Sequence, residues 1–409
     1  MAVSRGNNEG GRFARRTDWE PEETEWSRAL AERRRRGLAV FDLTASNPTR
    51  CGFEYDAERL LAPLRDPAAL DYDPDPRGML SARGAVAHYY GQHQDRDGRP
   101  LAISPEQMVL TTSTSEAYSF LFRLLCDAGD TVLIAQPSYP LFDLLATLDD
   151  VHLRPYELFY DHGWHLDIAG LRQRVTETTR AIVLVHPNNP TGHFTQPRER
   201  AELEALCLEH GLALIVDEVF LDYPSEGHEQ GLSFAAGPHD VLTFVLSGLS
   251  KVAALPQMKV AWIACFGPED EQREALRRLE VIADTFLSMN APVQCALPRW
   301  LADRHSLQQQ IRMRVAENLS MLDGLLAPEG LVDRLIIEGG WYAILRIPAL
   351  EPDDALALRL LEEQGVAVHA GHFFGFSNSG WLVASLLPPV AEFAEGIRRL
   401  LVEINQPHP

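Results

Sequence analysis

From about residue 105 onwards, the chain repeats short apolar runs that lack the polar–apolar alternation of a surface strand. These runs are DTVLIAQP, AIVLVHP, LALIVDE, VLTFVLS and VAWIACF. Strands have this composition when both of their faces are buried, as in parallel sheets. Helical patterns lie between several of the runs, for example PRERAELEALCLEHG, which ends in Gly211 where a capping glycine belongs. The alternation predicts an α/β fold with a mostly parallel central sheet covered by helices.

The pattern changes after about residue 295. A long amphipathic helix is predicted over roughly 296–327, followed by LIIEGGWYAILRI, DALALRLLEEQG, GWLVASLL and PVAEFAEGIRRLLVEIN. These segments predict a smaller α+β domain, built from the N-terminal segment and the C-terminal third of the chain. The predicted division is an N-terminal arm with part of the small domain (1–55), a large domain (56–295) and a small C-terminal domain (296–409).

Composition and charge limit the classes of partner. The chain has 409 residues, of which 45% are hydrophobic, so it can bury a sizeable core. Its 58 acidic and 37 basic residues give a formal net charge of −21, which repels a phosphodiester backbone. The basic run Arg33–Arg36 closes PEETEWSRALAERRRRG, whose acidic start, basic end and Gly37 fit a capped helix better than a nucleic-acid signal. Nucleic acid is therefore not an expected partner.

Cysteine usage and hydropathy indicate an intracellular protein. The 5 cysteines are odd in number and far apart, with no zinc-binding spacing, so we expect reduced thiols and no metal. No apolar run reaches the roughly 20 residues that span a bilayer. The N-terminus lacks the apolar core of a secretion signal. These features predict a cytoplasmic protein without a membrane partner.

Ligands of parallel sheets bind at the carboxyl ends of the strands, so the residues directly after each apolar run are the candidates for a site. After QMVL, Ser113, Thr114 and Ser115 lead into a helix, and their N–H groups and hydroxyls suit a phosphate. An ordinary helix cap explains them equally well, because one such residue is enough for capping. After AIVLV, the rigid turn HPNNPTG is either a surface loop or a holder of an amide near a ligand.

Two ionisable residues follow the next runs. Asp217 comes after LALIV and needs a partner, either a structural arginine or a protonated heterocyclic nitrogen. Lys251 follows VLTFVLSGLS, and partial removal from water makes a lysine nucleophilic toward carbonyls. A phosphate cradle, an amide, a carboxylate and an amine at successive strand ends match the phosphate, phenolic oxygen, ring nitrogen and aldehyde of pyridoxal 5'-phosphate (PLP).

These motifs together resemble a known family. NNPTG (188–192), DEVF (217–220) and GLSK (248–251) occur in the order and at the separations of the class I/II aminotransferases, the aspartate-aminotransferase-like enzymes of PLP fold type I. The resemblance spans roughly residues 40–400. It implies a large PLP-binding domain and a ping-pong transfer of an amino group between a small-molecule amino donor and a keto acid or aldehyde. It also implies a homodimer with active sites shared between protomers.

The resemblance implies roles for individual residues. Lys251 would form a Schiff base with the cofactor and move the proton, Asp217 would keep the ring nitrogen protonated, and Asn189 would bind the phenolic oxygen. Further implied cofactor contacts are Ser113, Thr114 and Ser115 at the phosphate, Tyr139 stacked on the ring, Lys259 at the phosphate, and Tyr72 of DYDPDPRG reaching the phosphate across the dimer interface.

The chain departs from the family pattern at three positions. Lys259 stands where the family usually carries an arginine, and it keeps the charge without the bidentate fork. Phe220 replaces the tyrosine of DEVY, so we expect a raised pKa of the Schiff base because one hydrogen bond to the phenolate is lost. Val383 in GWLVASLL stands where the family has the arginine that binds the substrate α-carboxylate. Either the substrate lacks that group or another cation binds it, the candidates being Arg50 and His372. Ser46 is a further predicted substrate contact.

Two other function classes share part of this pattern. Another PLP enzyme of the same fold, such as a β-lyase or a cyclising synthase, would carry the same motifs. A noncatalytic regulator would need a DNA-binding module, for which the roughly 40 residues ahead of the resemblance are too few and the charge of −21 has the wrong sign. An aminotransferase is the leading prediction.

Overall fold

The computed structural model describes residues 2–5, 12–140, 142–227, 231–287, 289–328 and 330–405. The helices over these residues are α1 (Glu25–Arg35), α2 (Ala57–Leu61), α3 (Leu80–Tyr90), α4 (Thr114–Leu125), α5 (Phe142–Leu148), α6 (Ile168–Arg174), α7 (Pro197–His210), α8 (Leu249–Val252), α9 (Glu269–Phe286), α10 (Ala291–Asp303), α11 (His305–Leu325), α12 (Asp353–Arg359) and α13 (Val390–Ile404). The strands are β1 (Ala2–Arg5), β2 (Trp19–Glu22), β3 (Phe41–Asp42), β4 (Met108–Thr111), β5 (Thr131–Gln136), β6 (His152–Tyr160), β7 (Trp164–Leu166), β8 (Thr179–Val185), β9 (Ala213–Asp217), β10 (Thr243–Gly248), β11 (Ala261–Phe266), β12 (Asp333–Arg334), β13 (Tyr342–Arg346), β14 (Val366–Ala367), β15 (His369–Ala370) and β16 (Trp381–Ser385).

A large central sheet organises the middle of the chain. Over the described residues its strand order is β4-β11-β10-β9-β8-β5-β6-β7. The pairs from β10 through β9, β8 and β5 to β6 are parallel, whereas β11 and β7 run antiparallel to their neighbours. The predicted fold class, α/β with a mostly parallel central sheet, is confirmed.

The apolar runs fill both faces of this sheet. Successive residues of a strand point to opposite faces, and neighbouring residues accordingly enter different cores. Val216 and Trp262 pack in a core that extends to the C-terminal third of the chain, while Ile215 and Ile263 pack in a second core with residues of α4 and α9. Burial of both faces explains why these strands show no polar–apolar alternation.

The predicted ends of two helices are confirmed. Thr24 caps α1 by accepting a hydrogen bond from the Ser27 N–H at 3.1 Å, and Gly37 follows the helix with φ +66°. The basic residues Arg33–Arg35 lie in the last turn of α1, as the helix dipole favours. Gly211 ends α7 with φ +64°, a left-handed conformation in which glycine is the least strained residue.

The prediction of one helix over 296–327 is wrong. The structure has two helices there, α10 and α11, with Arg304 between them. The buried guanidinium of Arg304 donates hydrogen bonds to the Leu301 carbonyl oxygen and to Gln92, which fixes the chain at this break. Arg304 itself keeps helical dihedral angles, φ −56° and ψ −29°. The helical spacing of apolar residues is therefore not interrupted at the break, and the sequence pattern does not reveal it.

A second, antiparallel sheet lies in the C-terminal third, with strand order β12-β13-β16-β15. The N-terminal segment joins this part of the chain, because β3 pairs in parallel with β14 through Phe41 and Val366. A smaller unit built from both ends of the chain is therefore present, as predicted. The boundaries at residues 55 and 295 stay a prediction, and α10 crosses the second of them.

Candidate active site

The predicted strand ends meet at one edge of the central sheet. Asp217, the last residue of β9, is in register with Leu246 of β10. Ala261, at the start of β11, is paired with Gly248 at the end of β10 and with Thr111 at the end of β4. The turns that follow β4, β9 and β10 therefore lie side by side, and the site residues on them share this edge.

Asp217 is a buried carboxylate without a cationic hydrogen-bond partner among the described residues. Its Oδ1 accepts a hydrogen bond from the Val219 N–H at 3.0 Å, and its Oδ2 accepts one from the Tyr118 hydroxyl at 3.2 Å. Burial raises the pKa of Asp217 to about 6, although both hydrogen bonds and the charge of Lys251 oppose the rise. A buried acid of this kind favours a cation beside it, and neither of its hydrogen-bond donors supplies one.

Lys251 lies in α8, one turn after β10, among aromatic rings. Its Nζ atom is 4.6 Å from the centroid of the Trp341 ring and 5.3 Å from that of Phe220. Its carbonyl oxygen accepts a hydrogen bond from the Tyr223 hydroxyl at 2.7 Å. Burial lowers the pKa of Lys251 to about 8, although the charge of Asp217 opposes this. About a tenth of the amine is therefore uncharged and nucleophilic at pH 7.

The NNPTG turn after β8 is fixed by its own side chains. Asn188 accepts a hydrogen bond from the Thr191 hydroxyl at 2.9 Å through its Oδ1. Gly192 has φ +73°, and a Cβ atom there would collide with the carbonyl oxygen of Gly339, so this position requires glycine. Asn189 stands at the tip with its Oδ1 buried and without a hydrogen-bond partner. A buried carbonyl oxygen without a partner is costly unless a hydrogen-bond donor completes it.

The turn after β4 begins with a helix cap. The Ser113 hydroxyl accepts a hydrogen bond from the Glu116 N–H at 3.1 Å, which is the ordinary capping role considered above for this segment. Thr114 and Ser115 are partly accessible in the first turn of α4, where the N–H groups have no acceptor within the helix. One residue therefore caps the helix, and two remain available to an anion.

The other predicted cofactor contacts lie more openly. Lys259 is exposed, two residues before β11, and so belongs to the same sheet edge. Tyr139 is 45% exposed beyond the end of β5. Tyr72 is 83% exposed and lies on the surface of the single chain.

Of the three predicted substrate contacts, Ser46 has a buried tyrosine as its partner. Its side chain is hydrogen-bonded to Tyr342, the residue after Trp341; burial raises the pKa of Tyr342 to about 12, although this hydrogen bond opposes the rise. The Arg50 side chain is exposed. The imidazole Nδ1 of His372 lies 2.9 Å from Oδ1 of Asp354, and both side chains are more than half exposed.

The region around Val383 carries no positive charge on its sheet partners. Val383 is fully buried in β16, between Ile344 of β13 and His369 of β15. Burial lowers the pKa of His369 to about 4, so its imidazole is neutral near pH 7. The valine that replaces the family arginine is therefore an ordinary core residue of the small sheet.

Sequence reasoning missed several aromatic residues of the site. Tyr118 lies one helical turn beyond Thr114, a spacing that returns a side chain toward the sheet edge. Trp341 follows a Gly-Gly pair at the start of an apolar strand. This position next to a strand end is the sequence feature that could have identified it. Tyr223 carries no local signal, because its contact with Lys251 joins distant parts of the sequence.

The family model for aminotransferases of class I and II matches residues 67–400. The chain belongs to this family. The aminotransferase is 26% identical over 378 residues to the glutamate-pyruvate aminotransferase AlaA of Haemophilus influenzae, covering 89% of this chain and 90% of that protein. It is 29% identical over 377 residues to the alanine aminotransferase of Mycobacterium bovis, covering 89% and 85%. An Escherichia coli aminotransferase structure superposes with a TM-score of 0.82 at 23% identity, covering 95% of this chain and 96% of that one.

These comparisons confirm the predicted resemblance and the predicted transaminase activity. The aminotransferase carries its motif residues Asn189, Asp217 and Lys251 on strand ends of the expected fold. A β-lyase or a cyclising synthase is not favoured by the relatives. Within the described residues, this aminotransferase has no helix with the length and apolar character required to cross a membrane.

Proposed function

We propose that this aminotransferase uses pyridoxal 5'-phosphate and transfers an amino group between a small-molecule amino donor and a keto acid or aldehyde by a ping-pong cycle. The observation that carries the proposal is the placement of Asp217 and Lys251 at neighbouring strand ends. The first is a buried carboxylate whose hydrogen-bond donors are uncharged, and the second is a lysine whose pKa burial lowers to about 8. Asp217 can stabilise a protonated ring nitrogen, and Lys251 can attack a carbonyl carbon.

The residues at this sheet edge fit the parts of the cofactor. When bound, PLP supplies an aldehyde carbon that takes up the amino group and a ring that holds electrons released at the substrate α-carbon. Asp217 would keep the ring nitrogen protonated, and the side-chain amide of Asn189 would donate an N–H to the phenolic oxygen. Residues 113–115, at the start of α4, would bind the phosphate together with Lys259, and Tyr139 would cover the ring.

Lys251 would have two roles. As an uncharged amine it would hold the cofactor, and when its Nζ is free it would accept the proton from the substrate α-carbon. A lysine with a pKa of about 8 can do both near neutral pH, because both protonation states are populated there. The hydrogen bond from Tyr223 to the Lys251 carbonyl would keep the backbone still while Nζ moves.

The donor and acceptor are proposed to be an amino acid and a 2-oxo acid, by analogy with the glutamate-pyruvate and alanine aminotransferases it resembles. No cation lies on the sheet partners of Val383, so we propose that the substrate carboxylate binds the hydroxyls of Ser46 and Tyr342 instead of a guanidinium. Hydrogen bonds to a carboxylate are individually weaker than a bidentate arginine pair. The predicted substrate contacts Arg50 and His372 are the alternatives to this pair of hydroxyls.

A homodimer is proposed as the working assembly, with Tyr72 reaching the phosphate of the partner protomer. Support comes from large apolar side chains that are exposed in the single chain, two of which, Leu70 and Leu80, lie within ten residues of Tyr72 in the sequence. Exposed apolar side chains favour contact with another protein. Sedimentation of the purified protein measures the number of chains in the assembly. The Tyr72→Phe variant should bind PLP more weakly than wild type, with an unchanged sedimentation coefficient.

The proposal is tested with the full-length protein and PLP. Lys251 and Lys259 are the 2 lysines of the chain, so borohydride reduction followed by peptide mass spectrometry assigns the attachment site without ambiguity. We expect a visible absorption band, lost in Lys251→Ala and kept in Lys259→Ala. With alanine or glutamate as donor, the protein should release the matching 2-oxo acid and form pyridoxamine phosphate. A colourless protein would refute the proposal, and release of pyruvate with ammonia would support a lyase.

A further inference from the structure

Three aromatic side chains surround Lys251, and we call them the Lys251 box: Phe220, Tyr223 and Trp341. Nζ faces the Trp341 ring at 4.6 Å and the Phe220 ring at 5.3 Å, within the roughly 6 Å over which an aromatic face attracts a cation. The Tyr223 hydroxyl donates to the Lys251 carbonyl at 2.7 Å. The box thus holds both the backbone and the terminal amine of the lysine.

The box itself is rigidly built. Trp341 is fully buried, and its ring meets Phe220 at 5.2 Å and Tyr223 at 5.1 Å in edge-to-face geometry. The backbone ahead of it is tied to the same loop, because the Gly340 N–H donates to the Tyr223 carbonyl at 2.8 Å. The ring is therefore held in one orientation, with its face toward Nζ. It comes from the C-terminal third of the chain, whereas Lys251 comes from α8, directly after a strand of the central sheet.

We propose that Trp341 is a positioning residue, whose ring holds the Lys251 ammonium in the cleft whenever the amine is not bonded to the cofactor. The proposal rests on the proposed function for the role of that amine. An aromatic face attracts the ammonium without accepting a directed hydrogen bond, so the N–H bonds stay free to turn toward a substrate. A carboxylate in the same place would bind the charge more strongly and hinder release of the proton.

A ring that holds the ammonium should also raise the pKa of Lys251. Burial disfavours the ammonium and the charge of Asp217 favours it. A Trp341 ring face 4.6 Å from Nζ would act in the same direction as Asp217. A leucine at position 341 keeps the site apolar but removes the aromatic face. We therefore expect Trp341→Leu to lower the pKa of Lys251 by about 0.5 to 1 unit, the range of a partly desolvated cation–π contact.

The test is competitive acylation of the cofactor-free, full-length protein between pH 6 and pH 11. A trace of acetic anhydride labels amines in proportion to their uncharged fraction, and mass spectrometry reports Lys251 and Lys259 separately, since the chain has 2 lysines. The pKa of Lys251 should be highest in wild type, lower in Trp341→Phe and lowest in Trp341→Leu. The labelling profile of the exposed Lys259 should stay unchanged. A Trp341→Leu value equal to or above that of wild type would overturn the proposal.

A second pair of variants keeps the test decisive if Trp341→Leu does not fold. Phe220→Leu removes the more distant ring face and should lower the same pKa by less than Trp341→Phe does, judged against the Lys259 profile and circular dichroism. An equal or larger effect of Phe220→Leu would overturn the assignment to Trp341. Added PLP should protect Lys251 from acylation at pH 8. Absence of protection would contradict the proposed function while leaving the order of the pKa values, and so this inference, intact.

Discussion

The Nδ1 atom of His193 lies 3.1 Å from Oε2 of Glu338, and its Nε2 lies 2.8 Å from Oε2 of Glu199. The imidazole is buried between these carboxylates. His193 follows Asn189 by four positions, and Glu338 precedes Trp341 by three. This ionic contact therefore ties the asparagine turn of the active site to the segment that carries the Lys251 box.

The charge of the His193 imidazole should make the free energy of unfolding depend on pH. Burial alone would lower the pKa of His193, but the hydrogen bonds to Glu199 and Glu338 outweigh it and raise the pKa to about 9. A group whose pKa rises on folding stabilises the folded state below its unfolded pKa, about 6.5, and loses that contribution as the pH rises through 9. We expect His193→Gln to lower the free energy of unfolding by roughly 2 to 3 kcal/mol at pH 6 and by much less at pH 9.5.

Urea denaturation at these two pH values measures the difference. His88→Gln is the matched control, because His88 is exposed on α3 and should leave both values unchanged. An identical loss at pH 6 and pH 9.5 in His193→Gln would show that the imidazole acts by packing and not by charge.

Removing the charge of Asp217 should stabilise the cofactor-free protein and weaken cofactor binding. Burial raises the pKa of this carboxyl from 3.8 to about 6, so its stabilising contribution is present below pH 3.8 and is lost as the pH rises through 6. An asparagine at this position cannot ionise, so the Asp217→Asn variant does not lose this stability as the pH rises. At pH 7.5 we expect its free energy of unfolding, measured without cofactor, to exceed that of wild type by up to about 3 kcal/mol. Denaturation with and without PLP, together with equilibrium titration of PLP, checks both effects. Binding of PLP should weaken at least tenfold.

Glu218 provides the matched control for Asp217. It is the next residue, equally buried, and burial raises its pKa to about 7, but its carboxylate accepts hydrogen bonds from Ser233 and Phe234. Glu218→Gln should leave the dissociation constant of PLP unchanged. Equal weakening of PLP binding in both variants would remove the special role assigned to Asp217.

Restoring a hydroxyl at position 220 should lower the pKa of the visible band of the PLP-loaded protein. Phe220 is buried beside Lys251, and a tyrosine there would add a donor toward the phenolic oxygen. A hydrogen bond to a charged acceptor contributes about 1.5 to 3 kcal/mol, so we expect Phe220→Tyr to lower this pKa by about 1 unit or more. Asn189→Ala, which removes the other proposed donor, should shift it upward. Spectrophotometric titration measures both, and a pKa that Phe220→Tyr leaves in place would contradict the argument.

The sequence predicted those parts of the fold and site that follow from local patterns. Strands buried on both faces have continuous apolar runs, and parallel strands bring their carboxyl ends to one edge. The positions of Asp217 and Lys251 could therefore be predicted together from the sequence. The cap glycine Gly211 follows from backbone geometry in the same way.

Contacts between distant segments could not be predicted in this way. Tyr118 donates to a carboxylate 99 positions away, and Tyr223 binds the Lys251 carbonyl 28 positions away. Trp341 reaches the same lysine from the residue before β13. Their sequence patterns are those of ordinary core residues, because periodicity reports burial and not which partner is met. The break at Arg304 was hidden for a similar reason, since helical dihedral angles preserve the apolar period.

Among the proposed substrate contacts, removal of the Ser46 side chain should weaken substrate binding most. Its side chain is hydrogen-bonded to Tyr342, whereas His372 is engaged with Asp354 on the surface. Loss of one hydrogen bond to a carboxylate corresponds to about 1.5 kcal/mol, or roughly tenfold in affinity. Steady-state kinetics with alanine should therefore show a KM about tenfold higher in Ser46→Ala, with kcat little changed because the contact is made equally in the bound and reacting states. His372→Gln should match wild type. If Ser46→Ala also matched wild type while Arg50→Gln raised KM, the carboxylate would be bound by a guanidinium after all, supplied from the N-terminal segment and not from β16.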